Sequence, residues 1–230
     1  MNIVDWQKFS KESNIFKNRN PTNWVFLEEF LTRDFYEKLR ESYPKFDNTW
    51  EMEDSYDKLS YRKYWKMDGK KILIPEKDDR YSDAWNEFMK YVWSDEFCKK
   101  LAEFTGVPIT NLKHFGFMLI RKNGFQLPHT HNVSDKTLIV ILYFSENWEK
   151  GDPGGTYLSD GNDESKIVFE PHNLDNTCLI VLDGPHAAHG ARRVTKDVER
   201  KAIQLTYEPF SSVAGWYVNL GESKTELLDL

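Results

Sequence analysis

Apolar and polar positions along the chain change their period near residue 111. Ahead of that point, apolar side chains recur at helical spacing. Phe35, Leu39 and Tyr43 follow Thr32 and stop at Pro44; Trp85, Phe88, Met89 and Val92 follow Ser82; Phe97, Leu101 and Phe104 follow Ser94 and end at Gly106. Stripes at i, i+3, i+4 and i+7 place one face of a helix against a core. Ser or Thr before the stripe and Gly after it supply the caps that helix ends require. The spacing therefore predicts three helices that serve packing. Residues 23–27, Asn-Trp-Val-Phe-Leu, predict a short strand before them. Residues 48–66 crowd Trp, Tyr, Asp and Lys without a period, and read either as a mobile flap over a site or as an irregular surface wrap.

From residue 112 the runs become short, β-branched and aromatic, punctuated by Gly, Pro, Asn and Asp. Strands are predicted near 113–121, 126–131, 138–144, 156–159, 167–169, 178–182, 187–191 and 201–208. Eight strands with turn signals suit a double-sheet jelly roll whose outer sheet face the helices brace. No Gly/Ser linker divides the chain, so 1–230 is expected to form one domain. Within it, 1–110 is a helical and irregular support, 111–210 the jelly-roll core and 211–230 a C-terminal tail.

Composition adjusts this picture little. Over 230 residues, 40% are apolar and 30% charged, as in a soluble globular protein. Aromatics reach 15%, which suits a sheet core or a ring-lined cavity. A formal net charge of −6 argues against a nucleic-acid partner. Neither an apolar leader nor a membrane-length apolar run is present, so a cytoplasmic location is the expectation. Cys98 and Cys178 read as small buried hydrophobes rather than a disulfide.

The chemistry concentrates in Leu127-Pro128-His129-Thr130-His131, in the later His189-Gly190 and in Arg200. On an extended strand, residues two apart share a face, so His129 and His131 can chelate one metal ion. His189 can arrive as a third ligand from a distant strand, and Arg200 can hold an acidic cosubstrate beside the metal. Alternation puts Arg200, Ala202, Gln204 and Thr206 on one face of their strand. The bland reading leaves Arg200 in a surface charge cluster with Arg192, Arg193, Lys196 and Glu199. His186 is the main rival ligand, although its odd spacing from His189 turns it to the other face. His114 and His172 read as structural.

Together with the apolar strand 137–144 and the turn Asp152-Pro153-Gly154-Gly155-Thr156, these residues resemble the prolyl hydroxylase-like branch of the iron(II)- and 2-oxoglutarate-dependent oxygenases. The resemblance covers about 112–209 and, more weakly, 24–44. It implies a double-stranded β-helix, the cupin-like jelly roll, braced by N-terminal helices. It also implies Fe(II) held by His129, His131 and His189, with 2-oxoglutarate anchored by Arg200 and Tyr143. The implied activity is hydroxylation of a peptidyl or small-molecule substrate.

The departure is His131, which stands where the family has aspartate. A neutral imidazole keeps a ligand but removes a negative charge, and three histidines also suit zinc. Asp135, four residues on, is a candidate substitute carboxylate. His131 is also too large for the opened halide position of halogenating members. Two other readings stay open: a non-catalytic metal- or ligand-binding module, and a three-histidine metalloenzyme that does not use 2-oxoglutarate. Under the oxygenase reading, His131→Asp is expected to retain or raise turnover.

Overall fold

A computed structural model describes residues 3–65 and 77–209. The 211–230 tail and Lys66 lie outside the described residues. A 3-10 turn and a short helix α1 (Glu12–Lys17) precede strand β1 (Trp24–Glu28) and helix α2 (Arg33–Glu41). The hairpin β2 (Glu51–Ser55) and β3 (Lys58–Tyr64) follows, then helices α3 (Asp83–Trp93) and α4 (Asp95–Thr105). Strands β4 (Asn111–Ile120), β5 (Phe125–His129), β6 (Leu138–Phe144) and β7 (Thr156–Ser159) come next. Strands β8 (Ile167–Phe169), β9 (Asp175–Leu182), β10 (His189–Ala191) and β11 (Arg200–Glu208) complete the order.

The strands pair antiparallel in the order β1-β9-β6-β11-β4-β3-β5-β10-β7-β8, with β2 beside β3. This is the expected jelly roll. Alternation along its central strands sorts side chains into two layers. Leu138, Val140, Leu142 and Phe144 of β6 meet the helices with Cys178, Ile180, Ile203 and Leu205. Ile139, Ile141 and Tyr143 face inward with Met118, Leu179, Val181 and Ala202. Strand β6 reads as an unbroken apolar run because both of its faces are buried.

Helices α3 and α4 begin and end where their caps dictate. Ser82 accepts from the Trp85 N–H at 3.2 Å, Ser94 accepts from the Phe97 N–H at 3.1 Å, and Gly106 closes α4 at φ +77°. Trp85 is fully buried against the sheet, its Nε1 donating to the carbonyls of Leu39 and Ser42 at 3.1 Å. Helix α2 ends at Glu41, so Tyr43 is not part of it. Its hydroxyl instead donates to the carbonyls of Met118 and Ala202 at 2.9 and 2.6 Å, tying the end of the helix to β4 and β11.

The main correction concerns 48–66. Residues 51–64 are neither an irregular wrap nor a loose flap but a regular hairpin. Its β3 strand pairs with β4 through Tyr61↔Leu119 and with β5 through Leu59↔Phe125, bridging the two halves of the roll. Cys98 and Cys178 are buried and free, as expected.

Candidate metal centre

Register places the histidines. His189 is the cross-strand partner of His129, and pairs at such positions bring their side chains into contact. Their ring centroids lie 4.5 Å apart. Strand β5 ends at His129, so His131 belongs to the following loop rather than to the predicted strand. Its ring nevertheless turns to the same point, with centroids 5.1 Å from His129 and 4.9 Å from His189. One potential ligand nitrogen from each ring lies within 4.8 Å of the others. Gly190 is what lets β10 fit here, because a Cβ at that position would meet Gln126 O and Tyr157 Oη at 2.5 Å.

The tautomers follow from the hydrogen bonds. His129 Nδ1 sits 2.9 Å from Leu127 O, and His189 Nδ1 sits 2.7 Å from Ala187 O. A carbonyl only accepts, so both Nδ1 atoms carry hydrogen and each neutral ring presents a lone pair at Nε2. His131 Nδ1 likewise donates to the carboxylate of Asp183 at 2.8 Å. Burial depresses the pKa of His129, and it takes His189 down to about 4, with the neighbouring His129 adding to the effect. Neutral imidazoles with fixed Nδ1–H groups are the form that ligates a metal. The donor set therefore fits a divalent first-row ion such as iron or zinc.

The rings open onto a cavity of about 500 Å³, whose lining includes Arg62, Tyr64, His114, Thr156 and Gln204. Arg200 lies behind Thr156 and is fully buried, so it is not part of a surface charge cluster. Its Nη2 donates to Thr156 Oγ1 at 2.8 Å, and its guanidinium stands 4.9 Å from the centre of the Tyr143 ring. Tyr143 is also buried, and its hydroxyl accepts from the Thr156 N–H at 3.2 Å. Among the described residues, Arg200 Nε and Nη1 have no hydrogen-bond partner and no carboxylate pairs with this guanidinium. A buried cation left this way is costly, and a carboxylate ligand is the chemistry that would complete it. Gly154, at φ +117°, fits under this group where a Cβ would press Val194 and Trp148 at 2.8 and 3.2 Å.

Of the rival residues, His186, His172 and Asp135 are exposed and stand outside the three-histidine group. His114, read from sequence as structural, lines the cavity against the Tyr64 ring, and burial lowers its pKa to about 4. The hairpin adds a charged wall that sequence reasoning did not find. Glu53 receives hydrogen bonds from Lys58, Ser60 and Arg62, and Arg62 also donates to Gln204 at 3.2 Å. Burial opposes ionisation of Glu53, but Arg62 and the hydrogen bonds outweigh it and hold the carboxyl at about 2. Asp183 was missed too. Its signal was an acid directly ending an apolar strand, ahead of Gly184-Pro185.

No family model matches the sequence, and no curated protein sequence matches it. Solved structures do. A Pseudomonas putida prolyl-4-hydroxylase superposes with a TM-score of 0.61 at 11% identity, covering 86% of this chain and 99% of that one. A Trichoplax adhaerens prolyl hydroxylase, in complex with a hypoxia inducible factor oxygen degradation domain peptide fragment, gives 0.61 at 16% identity, covering 87% and 90%. HygX from Streptomyces hygroscopicus, with nickel, 2-oxoglutarate and hygromycin B bound, gives 0.56 at 13% identity, covering 87% and 88%. At these identities the likeness is one of fold, and the fold of this chain is the jelly roll of the 2-oxoglutarate–Fe(II) oxygenase structures.

Proposed function

We propose that this protein is an iron(II)- and 2-oxoglutarate-dependent oxygenase that hydroxylates a peptidyl or small-molecule substrate. One observation carries the proposal. Three Nε2 lone pairs converge at the end of a cavity behind whose wall an unpaired, buried arginine lies. Three imidazoles alone suit several metalloenzymes. An orphaned guanidinium in the same fold asks in addition for a carboxylate, and 2-oxoglutarate offers one at each end.

In this reading His129, His131 and His189 hold the iron, and Arg200 binds the distal carboxylate of 2-oxoglutarate through N–H groups that have no partner among the described residues. The bound pair supplies oxygen activation, in which the 2-oxo acid is oxidised to succinate and carbon dioxide while the substrate gains a hydroxyl. The residues around it position and desolvate. Tyr143 packs its ring on the guanidinium and Thr156 fixes one of its nitrogens, so the cation is oriented before any ligand enters. Ile139, Ile141 and Met118 wall the inner cavity with apolar surface. Arg62, Glu53, Lys58 and Gln204 make a polar wall facing the substrate side, which supports a substrate with hydrogen-bonding groups. The complexed neighbours are consistent with that choice, one carrying a peptide fragment and another hygromycin B.

The test is succinate formation from purified protein given iron(II), 2-oxoglutarate and oxygen, beside His189→Ala. We expect slow substrate-independent succinate in the first and none in the second. Absence of 2-oxoglutarate binding by calorimetry, with metal present, would overturn the assignment and favour a three-histidine site of another kind.

A further inference from the structure

Residue 131 raises a question of charge. Three neutral imidazoles place no negative charge on a divalent cation, whereas a site with an aspartate ligand has one. The structure contains that missing charge elsewhere. Asp183 has a side chain only 3% exposed, and its Oδ2 accepts from His131 Nδ1 at 2.8 Å. The other oxygen, Oδ1, accepts from the Gly184 N–H at 2.9 Å, so the carboxylate is held from both sides. Its own N–H donates to Thr137 O at 2.8 Å, which docks it under the loop that carries His131. No Lys or Arg pairs with it among the described residues; its side-chain partner is the metal-site imidazole.

We propose that Asp183 is the carboxylate of this metal site, set one shell outward: it positions His131 for ligation through Nε2 and supplies, through that ring, the negative charge an aspartate at 131 would have given directly. This rests on the metal-site reading above. The charges then balance. A divalent ion and Arg200 contribute three positive charges, and a dianionic 2-oxo acid with Asp183 contributes three negative ones. A carboxylate behind a ligating histidine also locks the ring and raises its basicity, and removing such a partner typically weakens metal binding tenfold to a hundredfold. Asp183 is thus a positioning residue that acts through His131.

The experiment uses zinc(II) alone, titrated into metal-free protein against a chromophoric chelator, so it does not depend on 2-oxoglutarate. Asp183→Asn, verified as folded by circular dichroism, is expected to weaken zinc binding about tenfold to a hundredfold. In a His131→Ala background the same change should alter affinity by no more than about twofold, the scatter of uncoupled sites. Equal losses in both backgrounds would mark Asp183 as merely structural and overturn the proposal, as would no loss in the first. Should Asp183→Asn not fold, nitrogen-15 NMR of the zinc-loaded wild-type protein decides. A His131 Nδ1–H that persists, protected from exchange, supports the proposal, and zinc bound at Nδ1 overturns it. Failure of 2-oxoglutarate to bind, with these results intact, would remove the oxygenase reading and leave this one standing.

Discussion

Replacing Arg200 with methionine separates stability from function at one residue. The guanidinium is fully buried, with a hydrogen bond to Thr156 and two nitrogens that have no partner among the described residues. Each unsatisfied buried donor costs about 1–3 kcal/mol, so removing both relieves about 2–6 kcal/mol. Against this stand the lost contact with the Tyr143 ring, about 2 kcal/mol when desolvated, and the charged hydrogen bond to Thr156, about 1.5–3 kcal/mol. Methionine keeps most of the apolar stem volume. The two sides nearly cancel, so the stability of the metal-free Arg200→Met protein should stay within about 3 kcal/mol of the wild type in either direction, centred near no change. For a chain of this size each kcal/mol shifts Tm by about 2–4 °C. Affinity for 2-oxoglutarate should fall far more. Truncating one partner of a buried charge pair costs about 2–5 kcal/mol, which is roughly a 30-fold to several-thousand-fold rise in Kd. Calorimetric unfolding of the metal-free proteins, with 2-oxoglutarate titration of the metal-loaded ones, reads both effects. A variant that is destabilised by more than about 3 kcal/mol yet binds 2-oxoglutarate as the wild type does would show Arg200 to be a structural brace and refute the reasoning.

Three further outcomes are expected. His131→Asp, which from the sequence is expected to retain or raise turnover, would set a second carboxylate beside Asp183 and remove its donor. The His131 side chain is 36% exposed, so the loss is that of a buried acceptor deprived of its donor, about 1–3 kcal/mol; the metal-free variant should melt below the wild type, and adding Asp183→Asn should recover most of the loss, whereas a double variant less stable than the single one would contradict this. Stability of the metal-free protein should fall as pH drops from about 6.5 toward 5. His114 and His189 are lowered to about 4, and His129 is also lowered, all chiefly by burial, so over this range the unfolded chain binds protons the native one refuses. Each histidine contributes a slope of up to about 1.4 kcal/mol per pH unit; denaturant midpoints that rise on acidification through this window would be inconsistent with neutral buried rings. Trp85→Ala should cost about 3–5 kcal/mol, since it empties a fully buried site and frees the Leu39 and Ser42 carbonyls; chemical denaturation reads it, and a loss below about 1 kcal/mol would misplace this core.

What the sequence revealed, and what it hid, follows from sequence separation and from which faces are buried. Strands 138–144, 156–159 and 167–169 were legible to the residue because apolar runs bounded by turn residues leave little ambiguity. Two of the three histidines share the motif 127–131, so their convergence could be read locally, whereas the pairing with His189 needed the resemblance. The hairpin 51–64 was hidden because Glu53, Lys58 and Arg62 put charge where a strand normally shows apolar side chains, and they do so because that face lines a polar cavity. Asp183 was invisible for a different reason. It lies 52 residues from His131, and only the β6–β9 register, with Leu138 opposite Leu182, carries it to the ring.

The most direct test of the whole account is an anaerobic crystal structure of the protein soaked with iron(II) and 2-oxoglutarate. One ion is expected within bonding distance of Nε2 on His129, His131 and His189, with Asp183 still on His131 Nδ1 and the distal carboxylate of 2-oxoglutarate on Arg200. An ion held by any other set of side chains, or 2-oxoglutarate lying away from Arg200, would contradict it.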